Sequence, residues 1–150
     1  MSNQPFLSTE YSDTAVRERL KSILAKTGNL NQPLNEIGQF LLASIDLGFE
    51  NETNPDGIPW KPNSPGIRRY KQSKGYILKV LQATGRMRAS INYRVSGNEL
   101  TVGTNVSYAY KHQLGIGVPK REFLGISEEN NKAIVSILDD YLSQTNQVKN

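Results

Sequence analysis

Two short β-type runs separated by a turn constrain the fold of this chain more than any other feature of its sequence. The runs extend from Ile91 to Val95 and from Leu100 to Gly103, and Ser96-Gly97-Asn98 lies between them. Because glycine and asparagine tolerate positive φ values, this spacing predicts an antiparallel β-hairpin. The hairpin lies inside a stretch from Leu78 to Gly125 in which glycines recur where periodic segments end. This pattern predicts a series of strand, turn, strand and short helix.

Amphipathic segments before and after this stretch predict the helices that cover the hairpin. Their apolar residues recur at helical spacing: Val16, Leu20, Ile23 and Leu24; Leu34, Ile37, Leu41 and Ile45; Ile134, Ile137, Leu138 and Tyr141. Asp13 or Ser12 is the expected N-cap of the first helix, and Gly28 follows its end. Pro33 is expected to open the second helix, and Ser127 to cap the last one. A shorter helix is expected from Tyr108 to Leu114.

The fold class that follows is α+β. We expect a small antiparallel sheet with a central hairpin, packed by two N-terminal helices and one C-terminal helix. The 150 residues fit one domain, at 13–143, between a flexible N-terminal arm at 1–12 and a frayed C-terminal tail at 144–150. Four prolines within 51–75 predict a long mobile loop there, with Trp60 seated against the core as its anchor.

The composition argues against most enzyme chemistry. The chain has no cysteine and one histidine, His112, which excludes thiolate nucleophiles, cysteine zinc sites and His-rich metal sites. No nucleophile motif or orienting acid accompanies His112, so we expect it to pack against a ring or donate to a backbone carbonyl. We therefore predict no enzyme, no cofactor and no metal. No apolar run is long enough to span a membrane, and the N-terminus lacks signal-peptide features.

The charge is basic overall, with a formal net charge of +4, and it is unevenly placed. From Lys61 to Arg94 there are nine Lys and Arg residues and no Asp or Glu. Two interpretations stay open: a solvated face that keeps a small protein soluble, and a surface that attracts nucleic acid or an acidic protein.

Five motifs in a fixed order carry a family resemblance: Asn54–Trp60, Leu81–Ile91, Val102–Asn105, Tyr108–Gly115 and Pro119–Gly125. In this order and spacing they resemble the virion morphogenesis or tail-completion family of tailed phages and prophages, including the Mu-like ones. The resemblance implies a structural protein that completes the tail and joins head to tail. Related tail-completion and tail-terminator proteins form rings, often hexameric, at the head-proximal end of the tail tube.

The resemblance also implies partners and a location. The partners would be further copies of the chain in a homo-oligomeric ring that forms in solution or only on assembly, tail-tube and head-connector proteins, and DNA in the lumen; no membrane is implied. The location would be the host bacterial cytoplasm during assembly and then the tail or neck of the virion.

The resemblance assigns structural or interface roles to the residues that match the family motifs. These are Asp56, Gly57, Trp60, Thr84, Gly85, Ser90, Gly103, Thr104, His112, Gln113, Gly115, Phe123 and Leu124. The basic stretch adds residues expected to face the lumen or DNA: Arg68, Arg69, Lys71, Lys74, Arg86 and Arg88. Glu122 departs from the family pattern, in which a small apolar residue or a proline usually precedes Phe123.

Two other classes of function stay open on the sequence. The first is a small basic nucleic-acid-binding module that uses the same charged stretch. The second is a hydrolase centred on His112, for which His112→Ala would remove an activity without changing association.

Overall fold

The computed structural model describes residues 7–8 and 11–148. Its elements in chain order are α1 (Thr14–Thr27), α2 (Asn31–Asn51), α3 (Pro65–Lys74), α4 (Arg86–Ala89), β1 (Asn92–Ser96), β2 (Glu99–Gly103), α5 (Ala109–Leu114) and α6 (Glu128–Val148). Within the described residues β1 and β2 form a two-stranded antiparallel sheet in which Ser96 pairs with Glu99. Gly97, with φ of 58°, therefore starts a two-residue turn. The predicted α+β class with its hairpin is confirmed.

The three long helices and the hairpin form one half of the molecule, which we call the helical half. Helix α2 packs on α6 and on both strands, and α1 packs on α6. Their facing stripes bury a common helical core of Val16, Ile23, Leu30, Leu34, Ile37, Leu41, Ile134 and Leu138. The predicted helical periods therefore correspond to the buried faces, because residues three and four apart share one side of a helix.

The ends of these helices follow the predicted capping signals. The side chain of Asp13 accepts a hydrogen bond from the backbone N–H of Val16 (2.9 Å), and Gly28 ends α1 with φ of 72°. At the start of α6, Asn130 N–H donates to Ser127 Oγ (3.0 Å), and Ser127 N–H donates to Asn130 Oδ1 (3.1 Å). These reciprocal bonds form a capping box. Helix α2 begins at Asn31, two residues before the predicted Pro33.

A glycine lets the hairpin approach α2 closely. A Cβ atom on Gly38 would lie 2.5 Å from Cδ2 of Tyr93, which is too close for any real side chain. The Tyr93 ring therefore lies over bare helix backbone, and its hydroxyl donates to Asn35 Oδ1 (3.0 Å). This contact fixes the hairpin on the helix.

Residues 52–91 and 104–125 form the other half, which we call the loop half. Its loop core contains Ile45, Phe49, Trp60, Val80, Met87, Val106, Ala109, Phe123 and Leu124. Phe49 reaches into it from α2 and packs its ring against Trp60 and Phe123, at centroid distances of 5.3 and 5.7 Å. The predicted burial of Trp60 against the core is confirmed.

The expectation of a long loop over 51–75 is wrong for much of its length. Helix α2 runs to Asn51, and α3 occupies Pro65–Lys74. Ser64 caps α3 by accepting from Ile67 N–H (3.2 Å), Pro65 takes the first turn, and Gly75 ends the helix with φ of 68°. Proline suits the first turn of a helix because it lacks only an N–H that has no helical partner there.

The two predicted terminal segments differ from expectation where they can be seen. Helix α6 continues through the expected tail to Val148, and Thr145 Oγ1 donates to Tyr141 O (2.9 Å). In the expected arm, Leu7 forms an antiparallel bridge with Thr104, with N···O distances of 2.7 and 3.1 Å. The rest of these two segments, at 1–6, 9–10 and 149–150, lies outside the described residues.

Candidate assembly interface

Gln113 organises the irregular backbone of the loop half. Its side chain is buried, and its Oε1 accepts from the backbone N–H groups of Phe123 and Leu124 (both 3.0 Å). Its Nε2 donates to Leu124 O (2.9 Å). One side chain thus supplies the partners that a sheet or helix would supply to this segment. As a result, Phe123 and Leu124 are held in the loop core.

Trp60 and Arg121 tie the 52–62 segment to the same region. The indole N–H of Trp60 donates to Glu122 O (2.8 Å). Arg121 donates from Nε to Lys61 O (2.9 Å) and from Nη2 to Pro62 O (3.2 Å). Because Trp60 uses only the backbone of Glu122, the unusual side chain at that position leaves this contact intact.

Ser90 and Thr104 join the end of α4 to the exit of β2. Their hydroxyl oxygens lie 2.6 Å apart, and Thr104 Oγ1 also accepts from Val106 N–H (3.1 Å). Thr104 is fully buried, as a packed structural residue should be. Buried Gln82 has a similar role, since its Nε2 donates to Phe49 O (2.8 Å) and its Oε1 accepts from Arg88.

A groove of about 500 Å³ opens on the surface of the loop half between α3, α4 and α5. Its floor is mostly apolar and includes Ile67, Met87 and Val118. Four cations line it: Lys61, Lys71, Arg86 and Arg121. Because no Asp or Glu lines it among the described residues, we call it the basic groove.

Two of these cations are buried. Lys71 is 7% exposed and donates from Nζ to Lys79 O (2.9 Å), and Arg121 is 8% exposed. Burial lowers the pKa of both groups, and the positive charge of Arg121 lowers that of Lys71 further, against an opposing effect of Glu52. In the described part of the chain, their hydrogen bonds go to backbone carbonyls, and neither forms an ion pair.

His112 lies at the edge of the basic groove and is half-buried. Burial lowers its pKa, and the charges of Arg121 and Lys111 lower it further, so the neutral imidazole is favoured. Its Nδ1 is buried and has no hydrogen-bond partner among the described residues. The predicted bond from His112 to a backbone carbonyl is therefore not seen from this nitrogen.

Exposed large apolar side chains are concentrated in the loop half. Of the eleven in the described residues, nine lie there: Ile58, Ile67, Tyr70, Ile77, Leu78, Tyr108, Tyr110, Leu114 and Ile116. The other two are Tyr11 and Leu47. Single exposed apolar residues are ordinary, but such a concentration is typical of a surface that another molecule covers.

The basic charge is concentrated in the same region. Residues 61–121 hold twelve of the eighteen Lys and Arg residues of the chain and one of its fourteen Asp and Glu residues. Arg68, Arg69, Lys74 and Arg86 are exposed. Of the other two cations expected to face the lumen or DNA, Lys71 is buried and Arg88 is half-buried.

Lys71 is withdrawn from the surface by burial, whereas the charge of Arg88 is engaged in ion pairs. The guanidinium of Arg88 lies 2.7 Å from Asp46 and 3.1 Å from Glu50. These bonds raise the pKa of Arg88, and the hydrogen bond to Arg88 lowers the pKa of Asp46. Arg88 therefore fastens α4 to α2 and offers no free charge.

A second groove, of about 550 Å³, lies between α2, the 53–57 loop and the start of α6. Leu47, Gly57 and Glu129 line it, and no Lys or Arg does so among the described residues. We call it the acidic groove because Glu129 lines it and Asp56, beside Gly57 in sequence, is exposed.

The predicted site residues divide among three places. Gly57 lines the acidic groove, with exposed Asp56 next to it in sequence, and Thr84, Gly85 and His112 line the basic groove. The others hold backbone or core: Trp60, Ser90, Gly103, Thr104, Gln113, Gly115, Phe123 and Leu124. Sequence reasoning missed Gln82, which follows the apolar Val80 and Leu81, and Arg121, which stands between Lys120 and Glu122 and has no local signal.

The described residues contain no helix long and apolar enough to cross a bilayer and no cluster of three or more metal-binding side chains.

Comparison with known proteins assigns this arrangement to a family. The model of the phage virion morphogenesis family matches residues 11–143. The chain is also similar to the Mu-like prophage FluMu G protein 1 of Haemophilus influenzae, with 24% identity over 141 residues that cover 92% of this chain and 96% of the relative. No solved structure matches it significantly.

Proposed function

The chain belongs to the phage virion morphogenesis family, so its role lies in building a phage virion, and we propose that it completes the tail and forms part of the head-to-tail junction as a ring. In this proposal it is a structural protein without enzymatic activity. Its partners are further copies of itself, the tail tube and the head connector.

The observation that carries the proposal is the surface of the loop half. Nine exposed large apolar side chains and most of the basic charge lie on a part of the chain whose backbone is fixed by buried Trp60, Gln113 and Arg121. A rigid apolar surface of this kind favours association, because little conformational entropy is lost when a partner binds to it.

The first test is self-association of the purified protein. We expect light scattering on a sizing column to give one discrete multimer at high concentration, and electron microscopy of that peak to show rings. Tyr110→Ser should shift the protein toward the monomer. Tyr11→Ser is the matched control, because Tyr11 and Tyr110 are 42% and 41% exposed and Tyr11 lies outside the loop half. A multimer that tolerates Tyr110→Ser and dissociates with Tyr11→Ser would contradict the proposed surface.

The second test concerns the virion. In the phage or prophage that encodes the chain, a nonsense codon in its gene should leave heads and tails that do not join. Joined particles from such a lysate would contradict a role at the head-to-tail junction.

The exposed cations favour a second candidate function, binding of DNA. Arg68, Arg69, Lys74 and Arg86 could contact phosphates in the lumen of a ring or in a free duplex. A phosphate binder loses duplex affinity steeply as salt rises, so a salt titration of duplex binding tests this function. Little affinity at any salt concentration would remove it.

A further inference from the structure

A ring of more than two subunits requires two different surfaces on each subunit, because each subunit contacts one neighbour on each side. In the ring of the proposed function, on which the pairing of surfaces rests, both surfaces belong to this chain. The basic and acidic grooves share no lining residue. They are therefore candidates for the two sides of one head-to-tail contact.

Two cations of the basic groove, Lys61 and Arg86, are exposed and have no ion-pair partner among the described residues. Lys71 and Arg121 are buried beside each other's charge, and no carboxylate lines the groove with them among the described residues. These two cations donate to backbone carbonyls, and Glu52 acts on Lys71, so an incoming carboxylate would pair first with the exposed Lys61 and Arg86. Since Ile67 and Met87 lie in the same groove, its occupant should be both acidic and apolar.

The acidic groove offers that combination. Leu47, which lines it, is 59% exposed, and Ile58, next to Gly57 of its lining, is 60% exposed. Glu129 lines the groove and its neighbour Glu128 is also exposed. Neither glutamate has an ion-pair partner among the described residues.

We propose that the basic groove of one subunit binds the rim of the acidic groove of a second copy, with carboxylates against its cations and apolar side chains against its floor. DNA fits the two grooves less well than a second copy does. Phosphates would satisfy the cations, but they would leave exposed Ile67 and Tyr108 of the basic groove, and Leu47 of the other, without an apolar partner. Charge complementarity of this kind fixes the register of a contact as well as its strength.

Cysteine crosslinking tests the contact directly, because the natural chain contains no cysteine. Arg86→Cys and Glu129→Cys are prepared separately, and both residues are exposed. With a short bis-maleimide, we expect the mixture of the two proteins to give covalent dimers and either protein alone to give none. The double variant should give a ladder that ends at the ring size.

Charge reversal provides an independent readout. Arg86→Glu and Glu129→Arg should each weaken self-association by about tenfold or more, since like charges then meet at every contact. A mixture of the two variants should assemble again, because opposite charges meet at each alternating contact. Lys21→Glu and Glu36→Arg are the matched controls, since both residues are exposed on the helical half away from both grooves.

The outcomes separate this inference from the proposed function. Rings without a crosslink between positions 86 and 129 would overturn the pairing of the grooves and leave the ring standing. Self-crosslinking of Arg86→Cys alone would also overturn it, because the two basic grooves would then meet each other. A monomer at every concentration, with no crosslink in purified tails, would overturn both.

Discussion

The helical half and the loop half reach a fixed structure by different means. In the helical half, regular elements satisfy their own backbone, and apolar stripes such as Val16, Ile23 and Leu138 supply the contacts between them. In the loop half, the irregular backbone lacks the hydrogen-bond partners that a helix or sheet provides. The side chains of Trp60, Gln113 and Arg121 supply such partners instead.

The difference shows how a small domain can present a functional surface without long elements. A loop half held from inside by a few polar side chains can place apolar and charged groups such as Tyr110, Leu114 and Arg86 outside. Loops on a rigid scaffold commonly carry function for this reason.

The largest effect is expected from Trp60→Ala, which removes the anchor of the loop core. We expect a loss of about 3–5 kcal/mol in the free energy of unfolding, measured by urea denaturation. Trp60→Phe keeps much of the ring and loses the bond to Glu122 O, so it should cost about 1 kcal/mol. If Trp60→Ala were as mild as Trp60→Phe, the loop half would not depend on this anchor.

Gln113→Leu should have the next largest effect. It leaves the N–H groups of Phe123 and Leu124 and the carbonyl of Leu124 without partners, at an expected total of about 3 kcal/mol. Gln113→Glu keeps an acceptor for the N–H groups but replaces the donor to Leu124 O with an oxygen and buries a charge, so it should also destabilise at neutral pH. The measurement is again urea denaturation at neutral pH. A leucine variant within about 0.5 kcal/mol of wild type would show that the polar bonds do not hold this half.

Gly38→Ala tests the helical half. Alanine favours helix by about 1 kcal/mol over glycine, but its Cβ would meet the Tyr93 ring at 2.5 Å. We expect overpacking to prevail, with a net loss of about 1–2 kcal/mol and a lower melting temperature. In a Tyr93→Ala background the same change should stabilise. A stabilising effect in the wild-type background would mean that the hairpin does not pack tightly on α2.

The smallest effect is expected from His112. Since burial lowers its pKa in the folded state, the unfolded chain binds the proton more readily. Stability should therefore fall as pH drops below the ordinary histidine value of 6.5 and should level off above it. His112→Asn should flatten this dependence between about pH 5 and 7, because the chain has no other histidine. An unchanged slope in the variant would contradict the assigned burial.

The sequence predicts the helical half better than the loop half for a physical reason. Periodic stripes and caps such as Asp13 and Ser127 act locally, so a single sequence shows them. Helix α3 is not predicted because prolines usually break helices, although Ser64 and Pro65 here form a helix start. The bonds of Gln82 and Arg121 join segments distant in the chain, so no local pattern indicates them. The family resemblance, and not periodicity, indicates Gln113.

The central claim is that the loop half and the acidic groove carry assembly, and hydrogen exchange on free and assembled protein tests it most directly. The account predicts that assembly slows exchange at 61–78, 84–88 and 108–121 on one side of the contact and at 54–58 and 126–130 on the other, while α1 and the hairpin stay unchanged. Slower exchange confined to α1 and the hairpin would contradict it.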